Sequence, residues 1–162
     1  MKSISYAIPV LVALALQSPA FAVEQPRIVP RVREVSRPVG DVYSTLKKYF
    51  SDSSLSHFQL VSSDPKTHTL VAKQSGIPTN TWTDWAFCKA APMQMIFQYQ
   101  DGVVTVTVKL DQTSKRSTFV HVTADFQGTY SLGSKQDTIA CVSKGGLEDS
   151  ILAAAGPAAT SK

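Results

Sequence analysis

The chain is poor in charged residues and lacks the common catalytic motifs. Charged residues make up 17% of the sequence, below the ~25% of an average domain, while 43% of it is apolar. This composition is typical of a globular domain, with disorder confined to the ends. The sequence contains no G-x-S-x-G, H-E-x-x-H, P-loop or dinucleotide-binding motif. We therefore expect a protein that is not an enzyme and that has no cofactor.

No apolar run is long enough to cross a membrane. The N-terminal run, residues 8–16, is far shorter than the roughly 20 residues that a spanning helix needs. It lies between Lys2 and the small-residue sequence Ala20-Phe21-Ala22, which is the arrangement of a secretory signal peptide. The sequence therefore predicts cleavage after residue 22 and a soluble product that begins at Val23 and is periplasmic or secreted. No cysteine lies near the cleavage site, so a bacterial lipid anchor is not indicated.

The net charge of the mature chain is too small to indicate a nucleic-acid partner. After residue 22 there are 15 basic and 12 acidic residues, which gives a net charge of +3. Four arginines nevertheless fall within eleven residues, namely Arg27, Arg31, Arg33 and Arg37. Two interpretations of these arginines remain open. The first, which we favour, is that their charges keep an N-terminal arm soluble. The second is that they form a patch that binds an anionic surface, such as lipid headgroups or an acidic partner.

The mature chain has only two cysteines, Cys88 and Cys141. An even pair in an exported protein predicts one disulfide. The bond would close a loop of 53 residues, for which the chain-entropy model gives roughly 4 kcal/mol. We expect it to join the tryptophan-containing segment to the C-terminal helix. No C-x-x-C motif or histidine cluster accompanies the pair, so a redox or metal role is not favoured.

Hydrophobic spacing in the first half of the chain predicts a strand, a helix and a hairpin, followed by a long loop. Residues 31–36 can be extended, and apolar residues recur at helical spacing over 39–51. Short strands at 57–61 and 69–73 flank a proline-containing turn. The stretch 76–92 has no sustained period of either kind and is interpreted as a partly packed loop.

The second half predicts a three-stranded antiparallel meander. A strand begins at Met93, and Asp101-Gly102 forms its hairpin turn to a strand at 103–110. In the third strand, 117–126, apolar residues alternate with polar ones, so one face is buried and the other is exposed. A polar loop at 131–137 then leads to a short strand.

Ser143 is expected to cap a last helix, which ends at Gly156-Pro157. These elements predict an α+β fold, with five to six antiparallel strands, two helices on one face and one disulfide. The predicted units are a signal peptide at 1–22, an extended arm at 23–34, one domain at 35–156 and a flexible tail at 157–162.

Part of this pattern resembles a known family. The matching stretches are Val35-Ser36-Arg37-Pro38, Val42-Tyr43-Ser44-Thr45-Leu46, Phe58-Gln59-Leu60-Val61, and Asp64 with Thr69-Leu70-Val71-Ala72. They are similar to the repeated helix-grip unit of BamC-type outer-membrane assembly proteins, and they cover residues 35–73. The chain departs from that family in having a single unit, a predicted disulfide and no lipid-anchor cysteine. The resemblance implies a helix-grip-like fold and an envelope setting, and it implies no functional residue.

The three histidines have no supporting catalytic motif. His57 lies at a strand start, His68 beside a turn, and His121 on the exposed face of a strand. His121 with Asp125 is the best acid–base candidate, although polar residues on exposed strand faces are far more often solvated than catalytic. The histidines also lack the close spacing of zinc ligands, so no metal site is expected.

The most unusual segment, residues 81–88, contains three large aromatic residues beside a cysteine. One interpretation, which we favour, is that these rings form a small additional core that covers the disulfide. The other is that they form a binding platform on a loop that the disulfide holds in place. The candidate binding residues of the whole chain are Trp82, Trp85, Phe87, Arg31, Arg33 and Arg37.

Two functions follow from these features. The first is a non-enzymatic envelope protein that binds another envelope protein through its sheet edge or its aromatic loop. The second is a periplasmic carrier of a lipid or another apolar molecule, held between helix and sheet. The residues that could line such a pocket are Tyr43, Tyr49, Phe50, Met93, Met95, Phe97 and Tyr99.

Overall fold

The computed structural model describes residues 30–88 and 98–159, in which an antiparallel sheet of seven strands carries three helices. The elements in chain order are β1 (Arg31–Val35), α1 (Val39–Ser51), β2 (Gln59–Asp64), β3 (Thr69–Gln74), α2 (Thr79–Trp85), β4 (Ala86–Phe87), β5 (Gln98–Ser114), β6 (Ser117–Leu132), β7 (Lys135–Ser143) and α3 (Gly146–Ala155). The predicted α+β class and antiparallel sheet are confirmed. The additional helix and the additional strand, α2 and β4, lie in the stretch that we interpreted as a loop.

The sheet is built around the long β5–β6 hairpin. Its strands follow the order β2-β3-β5-β6-β7-β4, and β1 also pairs with β6. The N-terminal part of β6 pairs with β1, and its C-terminal part pairs with β7. Strands β1 and β7 therefore lie end to end along the same edge of β6.

The predicted helix over residues 39–51 is confirmed with these bounds. Its apolar residues fall on one stripe, because they recur three or four positions apart. The buried residues of this stripe are Val39, Val42, Tyr43, Leu46 and Phe50. They pack on the sheet together with the buried residues of α3, so both helices cover the same face.

The two faces of the sheet differ because side chains alternate along each strand. The inner face carries the buried valines of β5 and β6 and meets all three helices. The other face, which we call the open face, is not covered by any described helix. Its side chains include Val32, Thr69, Val71, Phe87, Thr105, Thr107, Lys109, Phe119, His121, Thr123, Asp125 and Val142.

The predicted hairpin turn at Asp101-Gly102 is wrong, because β5 runs through both residues without interruption. A register irregularity lies between Tyr99 and Asp101, and Gly102 then faces the inner side of the sheet. A Cβ atom on Gly102 would lie only 2.6 Å from Cζ3 of Trp82. The glycine therefore permits the close approach of an indole ring and does not form a turn.

We expect Gly102→Ala to lower the free energy of unfolding by about 1–3 kcal/mol, since the added methyl group overpacks the site against Trp82. Gly40→Ala is the matched control, because nothing lies within 4 Å of a Cβ there. That variant should instead gain about 0.5–1 kcal/mol, because alanine favours the helix. Urea unfolding of both variants tests the contrast, and equal effects of the two substitutions would contradict the assigned role of Gly102.

Two further differences concern the C-terminal third. The predicted polar loop at 131–137 is instead the tight β6–β7 hairpin, so β7 begins at Lys135. Ser143 lies before the N-cap of α3, which is Gly145 with φ 89°. The Ser143 hydroxyl accepts a hydrogen bond from the Gly145 N–H (2.9 Å) and donates one to the buried Glu148 carboxylate (2.8 Å). Ser143 thus stabilises the start of α3, although it lies two residues before the N-cap Gly145.

Some predictions fall outside the described residues. They are the signal peptide, Arg27, Met93, Met95 and Phe97. Strand β1 spans the end of the predicted arm and the start of the predicted domain. Over residues 30–88 and 98–159, no helix has the length and apolar character that crossing a bilayer requires.

Candidate functional site

The structure separates the three aromatic side chains of the 81–88 segment. Trp82 is 2% exposed, and its ring packs against those of Phe126 (5.5 Å between centroids) and Tyr99 (5.8 Å). Its Nε1–H donates to Sγ of Cys88 at 3.3 Å. Trp85 is half-buried against the same core, whereas Phe87 is 57% exposed. Of the three, only Phe87 offers most of its side chain to a partner.

The predicted disulfide between Cys88 and Cys141 is confirmed. It joins the end of β4 to β7, and not to the C-terminal helix as expected, because β7 extends past Cys141 before α3 begins. A main-chain hydrogen bond also joins the two segments, since the Lys144 N–H donates to the Trp85 carbonyl at 2.8 Å. The Lys144 Nζ also donates to the Thr83 carbonyl. The α2–β4 segment is thus fixed to the sheet at several points.

The disulfide places two exposed apolar side chains side by side. Phe87 and Val142 are direct cross-strand partners, each next to one of the bridged cysteines in sequence. Cys141 and Ala86 face the core, so alternation turns Phe87 and Val142 to the open face. Val142 is 43% exposed. We call these two residues the Phe87–Val142 pair.

A second apolar pair lies further along the same face. Val32 in β1 is 49% exposed and Phe119 in β6 is 38% exposed. The two are diagonal neighbours, because Val32 is opposite His121 and Glu34 is opposite Phe119. We call them the Val32–Phe119 pair. Of the six large exposed apolar side chains in the described parts of the chain, these two pairs account for four.

Charged groups surround the Val32–Phe119 pair. The Asp111 carboxylate lies 3.1 Å from Nε2 of His121 and 3.3 Å from Nζ of Lys109. The Thr113 hydroxyl donates to the Glu34 carboxylate at 3.2 Å. Exposed apolar side chains with such a polar rim are typical of protein-binding surfaces.

The neighbour of His121 is therefore the Asp111 carboxylate, 3.1 Å from Nε2, and not Asp125, the partner expected from sequence. Asp125 lies four residues along the same strand, at a distance of about 13 Å in extended backbone, whereas Asp111 comes from the neighbouring strand. His57 is exposed ahead of β2, and the ring of His68 meets that of Tyr43. Over the described residues, no three His, Cys, Asp or Glu side chains converge as metal ligands.

The arginines of β1 point toward α3 and away from the open face. Arg31 lies 4.0 Å from the Asp149 carboxylate, and its guanidinium covers Gly145 at the helix start. Arg33 is half-buried on the same side of the strand. Arg37 donates to the Ala155 carbonyl (3.3 Å) and to the Thr45 hydroxyl (3.1 Å), and so binds the end of α3. Two of the three candidate arginines thus contact this chain's own helix ends.

The hydroxyl of Tyr99 binds the main chain just before α2. It donates to the Ile77 carbonyl at 2.6 Å. Burial, followed by the nearby charge of Asp101 and by Tyr130, raises the pKa of Tyr99 to about 12. The neutral hydroxyl is therefore the form that the folded state favours.

This shift predicts a loss of stability at high pH. Above about pH 10 the unfolded chain releases the tyrosine proton while the folded protein retains it, so stability falls as the pH rises toward 12. The urea midpoint should fall more steeply in the wild type than in Tyr99→Phe between about pH 10 and about pH 12. Parallel slopes in the two proteins would contradict the assignment to Tyr99.

Sequence reasoning identified Phe87 and missed its partner. Val142 was assigned to a short strand with no function, because a single valine beside a cysteine carries no signal of its own. The disulfide identifies the partner. When two cysteines on antiparallel strands are bridged, the residue before one cysteine lies opposite the residue after the other, so Phe87 lies opposite Val142. Val32 was missed because its strand was expected to be a solvated arm.

No protein-family model matches the chain, and no curated protein matches its sequence. Among solved structures, the chain is similar to a DUF4468 family protein from Bacteroides ovatus ATCC 8483, with 14% sequence identity and a TM-score of 0.36. The match covers 70% of this chain and 64% of that one, so the chain spans under two thirds of that protein's length. At this level of similarity, neither a family nor a function follows for this chain.

Proposed function

We propose that the protein is an exported, non-enzymatic binding protein of the bacterial envelope that holds another envelope protein against the open face of its sheet. One observation carries the proposal. Four of the six large exposed apolar side chains described lie on this face, as the Phe87–Val142 and Val32–Phe119 pairs. Exposed apolar groups concentrated on one surface are typical of interaction sites.

The arrangement of the two pairs favours a macromolecular partner. Val142 and Val32 border β6 opposite residues 125 and 121, so they lie about 13 Å apart along the strand. Both pairs project from the open face, and Asp111, Lys109 and His121 form a polar rim beside the Val32–Phe119 pair. A protein surface can contact both pairs at once, and its specificity would come from the rim charges.

Three features support the envelope setting. Residues 1–22 have the pattern of a signal peptide, and the disulfide suits an oxidising compartment. The resemblance of residues 35–73 to the BamC-type unit remains a prediction. In the structure these residues form the end of β1, α1 and the β2–β3 hairpin.

The test is purification of the oxidised mature domain from periplasm, followed by intact mass under native conditions. We expect a co-purifying protein with the wild type, and its loss in the double variant Phe87→Ser, Phe119→Ser. The control is Leu55→Ser, Val61→Ser, which removes the two exposed apolar side chains near the opposite, β2 edge of the sheet. A bare mass for the wild type, or equal loss in both double variants, would contradict the proposal.

A carrier of an apolar molecule is the second candidate, and one observation favours it. The Tyr43 hydroxyl is buried between α1 and the sheet without a hydrogen-bond partner among the described residues. A bound molecule with a polar group could supply that partner. In the same native mass measurement, a reproducible extra mass of a small molecule that is lost in Tyr43→Phe would establish the carrier instead.

A further inference from the structure

The open face carries its charges unevenly along the strands. Near one end, Lys109 and His121 share a single carboxylate, that of Asp111. Further along β6, the half-buried Asp125 forms no hydrogen bond or ion pair with any residue of the described ranges. The face thus has surplus basic groups at one end and an unpaired acid at the other. Cross-strand partners form three rows on this face: a first row of Lys109, His121 and Val32, a middle row of Val71, Thr107 and Thr123, and a third row of Thr105, Asp125 and Val142.

We infer that a second copy of this chain packs its open face against that of the first, with a two-fold axis along the middle row. This inference rests on the proposed function, since it assigns a competitor for the same site and so a means of covering that site until the envelope partner binds. A two-fold axis is the commonest symmetry of protein dimers. About an axis along the middle row, the first row of one copy faces the third row of the other, and the middle row faces itself.

The charges of the first and third rows are complementary in this arrangement. His121 of one copy faces Asp125 of the other, and Lys109 lies one strand away from that carboxylate, at a spacing of about 4.8 Å. The contact occurs twice, once on each side of the axis. Opposite charges placed in this way fix the register of a protein interface.

The apolar side chains match in the same arrangement. Val32, at the end of the first row, faces Val142, at the end of the third row of the other copy. Each Val32–Phe119 pair therefore meets a Phe87–Val142 pair of the other copy. The second copy thus covers the apolar groups that the free protein exposes on this face.

A two-fold axis parallel to the strands fits the face less well. It would place each row on the same row of the other copy, with β5 on β6 and β3 on the outer strands. Lys109 would then face His121, which brings two basic groups together. The two valines would lie over Thr69 and Lys73 of β3, so that polar side chains cover apolar ones. The axis along the middle row is therefore the one that the side chains favour.

The size of the face predicts a weak dimer. The three rows cover about 20 Å by 20 Å over four strands, because strands lie about 4.8 Å apart and side chains on one face repeat about every 7 Å. Two such surfaces bury roughly 800 Å² in total, below the ~1,200 Å² of stable complexes. The dimer should therefore dissociate on dilution, so a partner that binds more tightly can displace the second copy.

Charge exchange between two variants tests the arrangement. Asp125→Lys places a lysine opposite the basic row of the other copy, and Lys109→Asp places an aspartate beside Asp125, so each variant alone repels itself. An equimolar mixture should dimerise, because every contact across the axis then joins a lysine to an aspartate. Asp84→Lys is the matched control, since it makes the same charge change as Asp125→Lys at an exposed site on α2. It should dimerise like the wild type.

The measurement is sedimentation velocity of the oxidised mature domain at low ionic strength, from about 1 μM to about 1 mM protein. The mean mass of the wild type and of the mixture should rise with concentration toward that of a dimer. Each charge variant alone should associate at least ~10-fold more weakly. A wild type that stays monomeric up to about 1 mM, or a mixture that associates no better than its components, would overturn the inference.

The outcomes also separate self-association from the proposed function. If the wild type is monomeric throughout, and still co-purifies with a protein that is lost in Phe87→Ser, Phe119→Ser, the open-face function stands and self-association fails. If the charge-exchanged mixture dimerises and no other protein co-purifies with the wild type, self-association stands and the proposed envelope partner fails.

Discussion

Replacing Trp82 with alanine is expected to lower the free energy of unfolding by about 3–5 kcal/mol, the usual cost of removing a buried tryptophan. The ring is 2% exposed and lies against Phe126 and Tyr99, over the two glycines Gly102 and Gly128. The variant leaves a cavity under α2 and removes the indole donor to Cys88. Thermal unfolding should show a midpoint that is lower by roughly 10 °C or more.

Phe87→Ser is the matched control, because Phe87 comes from the same segment and is 57% exposed. Its midpoint should stay close to that of the wild type, since substitutions at exposed sites usually change stability by about 0.5 kcal/mol or less. The partner, in contrast, should be lost from Phe87→Ser. A Trp82→Ala protein as stable as the wild type would contradict a core role for this ring.

Removing the disulfide has the second large expected effect. Replacing both Cys88 and Cys141 with serine should cost about 4 kcal/mol, because the bond closes a loop of 53 residues and restricts the unfolded chain. Against a total stability of about 5–15 kcal/mol, this loss is a sizeable fraction. Urea unfolding of the double variant, compared with the oxidised wild type, measures it.

Loss of the bond should also change the binding surface. Strand β4 is only two residues long, and the disulfide holds its end against β7. We expect the double variant to bind the partner more weakly even where it is fully folded, because Phe87 is no longer fixed beside Val142. A stability loss below about 1 kcal/mol with unchanged binding would show that the remaining contacts of α2 and β4 suffice.

The parts of the fold that could be predicted from sequence are those that follow from local periodicity. The α1 stripe and the alternation in β6 each repeat over ten residues or more, so their bounds or faces follow from the pattern. Helix α2 could not be predicted, since seven residues are too few to establish a helical period. The Asp101-Gly102 prediction was wrong for a different reason: the glycine meets a ring that is distant in sequence, and a dipeptide does not reveal such a contact.

Two of the four apolar residues of the candidate site could be predicted from the sequence. Phe87 stood out as an aromatic residue beside a cysteine, and the outward position of Phe119 follows from alternation in its strand. Their neighbours Val142 and Val32 could not be assigned, because the pairing of β4 with β7 and of β1 with β6 joins residues far apart in the chain. The contact of His121 with Asp111 could not be predicted for the same reason.

Site-specific photo-crosslinking in living cells tests the central claim most directly. A photoreactive residue would be placed in turn at Phe87 and Phe119 on the open face, and at Leu55 and Val61 near the opposite edge of the sheet. The account predicts that positions 87 and 119 yield adducts with one and the same protein, and that positions 55 and 61 yield none. Adducts from all four positions, or from the two control positions alone, would contradict a binding role for the open face.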